Sequence, residues 1–215
     1  MNQIKAIGVA RRADDNRLRN PNERAILSLL QRNGAMPGSD LARQTGLSAQ
    51  TISVILRKLK SDGLTRQGKP VRGKVGKPSI PITLNPLGAL SVGCKLGRRS
   101  CDLIVLDFCG KTLFKRNLTY DIAIPQTVFA FLETSYADAL EELGAKAAER
   151  LCGFGIAAPF EIWKWGASDG NTPDEFLSWK DLSFDREIAR FTDLPVFMLN
   201  DATSACWAEQ VYGRG

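Results

Sequence analysis

The 215-residue chain has no histidine, so it lacks both the commonest zinc ligand and the commonest general base. Its five cysteines (Cys94, Cys101, Cys109, Cys152, Cys206) form no C-x-x-C pair, are odd in number and sit mostly in apolar, strand-like runs. Reduced thiols acting as small hydrophobes are expected there, not metal ligands or disulfides. No tract approaches the length of a membrane span and the N-terminus has no signal-peptide apolar run, which makes the cytoplasm the expected compartment. Acidic residues are scarce in one part only. Residues 1–84 hold 5 Asp and Glu against 16 Lys and Arg, whereas residues 85–215 hold 18 against 13, so the net charge of +6 conceals a basic head and an acidic body. The head suits a polyanion and the body does not. With 44% hydrophobic residues, the chain has enough apolar side chains for one large or two small cores.

The stretch Ser39 to Gly63, SDLARQTGLSAQTISVILRKLKSDG, carries two helix patterns separated by the Thr45-Gly46-Leu47 turn. Ser39 is the expected cap of the first, with Leu41 and Ala42 inward, and Ser48 caps the second. Ile52, Ile55, Leu56 and Leu59 recur at the spacing of a buried stripe, and Gly63 falls where a helix ends. Two helices joined by a tight glycine turn make a helix-turn-helix, or else a hairpin packed within some other all-α domain. On the first reading, Ala49, Gln50, Thr51, Ser53 and Val54 present small or hydrogen-bonding side chains that approach base edges, while Arg57, Lys58 and Lys60 meet phosphates.

An earlier helix is expected from Asn20, with Pro21 at its first position, Glu23 three residues after the cap, Ile26, Leu29 and Leu30 inward, and Asn33-Gly34 at its end. Residues 1–19, with Arg11, Arg12, Arg17 and Arg19, read as a basic arm that either follows a DNA backbone or is a solvated tail. After Gly63, Leu64-Thr65-Arg66 begins a strand and Ser79 to Leu84 its return partner. Between them lies QGKPVRGKVGKP, with Lys69, Arg72, Lys74 and Lys77. It is either an ordinary solvated loop or a wing that reaches phosphates beside the recognition helix. Four cations in nine residues repel one another without a polyanion, which favours the wing.

Past the Asn85-Pro86 turn the pattern changes. Three short strands (89–96, 101–108, 112–119), a long amphipathic helix (125–143), a buried strand (151–158), a short helix (184–191), a strand (195–199) and a last helix (202–212) give the order βββαβαβα of a mixed sheet with helices on its faces. The expected organisation is a basic arm over 1–19, a winged helix-turn-helix over 20–84 and an α/β lobe over 85–215.

The winged head followed in order by GKPSIPITLNP, VGCKLGRRSCDLIVLDFCG, GFGIAAP and LPVFMLNDATSACWAE resembles the ROK family over residues 20–215. That family comprises sugar-responsive repressors and sugar kinases on an actin-like ATPase (RNase H-like) fold, and its repressor branch carries an N-terminal winged helix. The resemblance implies an α+β head on a partial actin-like α/β lobe. Two departures bear on function. Where the kinases have an Asp-x-Gly-Gly-Thr turn that cradles ATP phosphates, this chain has Lys95-Leu96-Gly97-Arg98-Arg99, which puts a cation and bulk where small residues are required. Family members also continue past the Asn-Asp-Ala helix into a His/Cys zinc motif and a second half-fold. A chain ending at Gly215 is therefore expected to be a fragment or a shortened form, with no zinc site and one wall missing from any sugar pocket.

By the same resemblance Asn200 and Asp201 match the pair that hydrogen-bonds sugar hydroxyls; equally, both residue types cap helices. Trp163, Trp165 and Trp179 could stack on a sugar or bury themselves in a core or partner. The expectation is a DNA-binding repressor of carbohydrate genes, not an enzyme, with no catalytic residues, metal or cofactor. It would bind a double-stranded DNA operator as a homodimer, respond to a sugar or sugar phosphate, and make no membrane contact. A sugar kinase with an appended head and a truncated, effector-blind DNA binder are the alternatives.

Overall fold

The computed structural model describes residues 19–70, 79–164 and 174–213, which fall into two compact units: residues 19–89 with Asp107–Lys111, and residues 90–106 with 112–213.

In the first unit, α1 (Pro21–Asn33) starts as its sequence indicates: Asn20 caps it by accepting from Asn22 N at 2.9 Å, and Pro21 stands at the first turn. Ile26 and Leu30 are buried on its inner face. A two-residue strand β1 (Met36–Pro37) leads into α2 (Gly38–Thr45). Ser39 does not cap α2. Pro37 occupies that position in an extended conformation and Ser39 lies inside the helix, because pairing of β1 with a later strand sets where the helix begins. Gly46, in the left-handed region at φ 69°, ends α2 where a Cβ would be disfavoured. α3 (Ala49–Ser61) follows, capped by Ser48, whose Oγ accepts from Thr51 N at 3.1 Å. Strands β2 (Thr65–Gln67) and β3 (Pro81–Leu84) pair antiparallel, and β1 joins the other side of β3 in the order β1-β3-β2. Leu41, Ile52, Leu59, Leu64, Ile82 and Leu84 close the core with α1. Asn85 ties the end of β3 back to the α3–β2 junction: its N donates to Leu64 O at 2.8 Å and its Nδ2 to Gly63 O at 2.7 Å.

The second unit is a five-stranded sheet in the order β6-β5-β4-β7-β8. β4 (Leu90–Leu96), β5 (Ser100–Leu106) and β6 (Thr112–Thr119) form an antiparallel meander; β7 (Leu151–Ala157) and β8 (Val196–Leu199) run parallel to β4. Alternation places Val92, Cys94, Leu96, Leu103, Val105, Phe154 and Ile156 in the core with Val128, Leu132, Tyr136 and Ala139 of α4 (Pro125–Leu143). Short helices α5 (Ala145–Ala148), α6 (Asp174–Leu177) and α7 (Phe184–Ile188) precede β8, and α8 (Asp201–Tyr212) follows it. Phe129, Tyr136, Phe154, Trp179, Phe184 and Phe191 pack in edge, tilted and stacked pairs 5.5–6.3 Å apart. All five cysteines are free thiols, but only Cys94 and Cys101 are the buried hydrophobes expected of the set; Cys109 lies in a turn, and it, Cys152 and Cys206 are exposed. Cys94 and Cys101 face one another at 3.8 Å, and the bond to Cys101 together with burial pushes the Cys94 thiol well up. Among the described residues no helix is long and apolar enough to cross a membrane.

Candidate nucleic-acid interface

At 3.6 residues per turn, the face of α3 opposite Ile52 and Leu59 carries Gln50, Val54 and Arg57, all exposed. Ala49 and Ser53, also exposed, turn towards one flank. On that flank a groove of about 490 Å³ runs between α3, the start of α2 and strands β2 and β3. Ala49, Ser53, Arg57, Lys60, Arg66 and Gln67 line it, and no carboxylate does so among the described residues. Lys60 Nζ donates to Gln67 Oε1 at 3.1 Å, linking helix to strand across the groove. Three cations and several small or amide side chains in one concave strip can take a phosphate backbone alongside groove edges.

The other flank is used internally. Lys58, expected to meet phosphate, donates from Nζ to Glu23 Oε1 at 2.6 Å, and Glu23 is 4% exposed at the start of α1. Arg19 joins them, donating from Nη1 to Glu23 Oε2 at 3.1 Å and to Asp62 Oδ2 at 2.7 Å. The Lys58 hydrogen bond, working against the upward push of burial and joined by Arg19, holds the Glu23 carboxyl below the usual carboxylate range. Glu23 therefore does not reach back to the Asn20 cap; it anchors α1 to α3. The Thr51 hydroxyl is likewise taken up, 2.8 Å from Ser48 Oγ in the cap. Lys69 is exposed beyond β2, and Arg72, Lys74 and Lys77 lie outside the described residues. Lys60, expected from helical periodicity to meet phosphate, lines the groove. Arg66 and Gln67 are not among the residues expected to meet DNA, because their place beside α3 depends on strand pairing.

In the second unit the parallel strands β4, β7 and β8 bring their C-terminal ends to one sheet edge, where open α/β sheets bind ligands. Lys95 is in register with Ala157, and Ala157 with Leu199, so the Gly97–Arg99 turn and the Asn200–Asp201 pair share that edge. Asn200 Oδ1 caps α8 by accepting from Ala202 N at 3.0 Å, and Asp201 Oδ1 accepts from the same N at 2.9 Å. Trp179 is not available to a sugar: it is buried, donates from Nε1 to Ala123 O at 2.7 Å and stacks on Phe184. Trp163 is half-buried and Trp165 lies outside the described residues. Among the described residues no group of three or more His, Cys, Asp or Glu side chains could hold a metal ion.

A three-helix, three-strand winged head and a mixed sheet of this order place the chain among winged-helix proteins with an actin-like lobe. Residues 19–64 match the family model described as winged helix-turn-helix DNA-binding, and residues 91–215 match that of the ROK family. The chain belongs to the ROK family. A solved ROK family transcriptional regulator, described as a homolog of the E. coli MLC protein, shares the fold with a TM-score of 0.58 at 22% identity, over 89% of this chain and 48% of that one. The xylose repressor of Bacillus subtilis is 21% identical over 201 residues, 94% of this chain and 51% of the repressor. A transcriptional regulator of Mycobacterium tuberculosis is 23% identical over 176 residues, 80% of this chain and 39% of the regulator. The chain thus spans about half the length, or less, of the relatives it matches.

Proposed function

We propose that this chain is a sequence-specific transcriptional repressor of carbohydrate genes, with residues 20–84 as its DNA-binding domain and residues 85–215 as the ROK lobe. The observation that carries this reading is the groove between α3 and the β2–β3 strands, lined by three cations and, among the described residues, by no carboxylate, which continues from the exposed face of a capped recognition helix. Ala49, Gln50 and Ser53 read base edges. Arg57, Lys60 and Arg66, with the wing cations Lys69, Arg72, Lys74 and Lys77, hold phosphates. One recognition helix covers only a few base pairs, so the protein works as a homodimer on two half-sites about 34 Å apart. A sugar or sugar phosphate, held through Asn200 and Asp201, binds the DNA-free arrangement better; each tenfold preference biases the equilibrium by about 1.4 kcal/mol. Names such as xylose repressor among the relatives support a sugar as effector class.

The reading tests directly. DNA enriched by the protein from a random-sequence pool should bind on the order of a thousandfold tighter than a scrambled version at moderate salt, with a linear loss of log affinity against log salt. Equal affinity for both sequences rejects it. The protein does not act as a sugar kinase on this reading. Gly97 N donates to Ser100 O at 2.8 Å, closing the β4–β5 turn, and the exposed Lys95, Arg98 and Arg99 put cations and bulk where close approach of backbone to phosphate needs small residues. Sugar phosphorylation from ATP by the purified chain would overturn that part.

A further inference from the structure

We infer that Val54 is a base-reading residue of α3, recognising a thymine through its 5-methyl group in the major groove; this rests on the DNA-binding reading above. Val54 is 57% exposed and is the one large hydrophobic side chain on α3 that stands in solvent; Ile52, Ile55, Leu56 and Leu59 are buried or half-buried in the head's core. It occupies the centre of the outward face. Gln50 lies one turn before it and Arg57 one turn after, and both are exposed. The buried stripe runs 52, 55, 56, 59; the exposed stripe 50, 53, 54, 57 repeats the same spacing on the opposite side, so these four side chains meet whatever α3 is laid against.

The chemistry of that face selects the ligand feature. A polar recognition helix gains nothing in water from a valine in its middle, where an exposed apolar side chain meets only solvent. Among the four bases, thymine alone places a methyl group in the major groove, and short apolar side chains are its partners there. Valine is stiff at χ1, so its two methyl groups are presented in a fixed orientation at little entropic cost. Gln50, four residues earlier and about 6 Å back along the axis, suits adenine N6 and N7, and at about 3.4 Å per base pair the two reads fall one or two base pairs apart. The half-site should therefore contain an A·T pair for Gln50 next to, or one pair from, a thymine for Val54.

The test uses the full chain and DNA that it has enriched from a random pool. Each thymine of the half-site is replaced singly by deoxyuridine, which removes the methyl and leaves pairing intact. Wild type should lose about three- to tenfold in affinity at one thymine, in line with the transfer of a single methyl group from water. Val54→Ala, at an exposed position that leaves the core untouched, should bind the unmodified site more weakly by a similar factor and be indifferent to deoxyuridine at that thymine. Val54→Thr, which keeps one methyl, should remain sensitive. If no deoxyuridine substitution weakens wild type while the enriched site still outcompetes scrambled DNA, the Val54 inference fails and the DNA-binding reading stands. If nothing is enriched, both fail.

Discussion

Replacing Lys58 by Met keeps the side-chain stem and removes the ammonium that bonds Glu23 at 2.6 Å. The Glu23 side chain is 5% exposed, and after the change it retains, among the described residues, only Arg19, at 3.1 Å. A hydrogen bond to a charged group is worth about 1.5–3 kcal/mol, and removing one partner of a fully buried pair costs about 3–5. Because Lys58 is itself 60% exposed, the lower range applies, and the head should lose about 2 kcal/mol. At a urea slope of about 1–2 kcal/mol per molar, that moves its midpoint down by roughly 1–2 M. The sign with pH follows from the depressed Glu23 carboxyl: its contribution is complete above the unfolded value of about 4.3 and is lost as pH falls through the lower folded value. The gap between wild type and Lys58→Met should accordingly be widest at pH 7 and shrink in strong acid. Far-UV circular dichroism follows both units, whereas all four tryptophans lie between Trp163 and Trp207, so their fluorescence follows the second unit and should not shift. Equal dichroism midpoints at pH 7, or a gap unchanged at pH 3, would falsify the assignment of Lys58 as an anchor.

Other expectations follow from the same geometry. Arg57→Ala should weaken binding to enriched and scrambled DNA alike and reduce the salt slope by about 1, while Gln50→Ala should relax base preference, with both read by gel-shift titration. Gly88→Ala should destabilise the head by about 1–3 kcal/mol, since a Cβ there meets Gly63 O at 2.7 Å and the Leu64 Cα at 3.0 Å, both backbone atoms. Hydrogen exchange of the α3 and β2 amides would detect it, and unchanged protection would count against the close approach.

Much of the head was legible before any coordinates. Asn20 with Pro21, Gly46 and Ser48 act through their own side chains or φ angles on residues two or three positions away, so the signal and its effect share one short stretch of chain. The lobe's strands and α4 followed equally from periodicity, with ends shifted by a residue or so at most strands. What went astray had distant partners. Lys58 read as a phosphate cation because Glu23 is 35 residues away. Ser39 read as a cap because nothing local announces that Met36–Pro37 will pair with Pro81–Ile82. Trp179 stayed open between a sugar platform and a core residue, and burial holds, because Ala123, which accepts its indole N–H, is 56 residues upstream.

What the sequence by itself determined is the main helices and strands, the family to which they belong and the basic sign of the head, since caps, periodicity and formal charge are properties of neighbouring residues. Tertiary structure alone decided which cations remain free for DNA. The packing of α1 against α3 withdraws Lys58 into a contact with a buried carboxylate, and the pairing of β2 with β3 brings Arg66 across from Lys60 and Arg57. The physical reason is that an ammonium group's role depends on the nearest carboxylate in space, and spatial neighbours are set by how helices and strands pack.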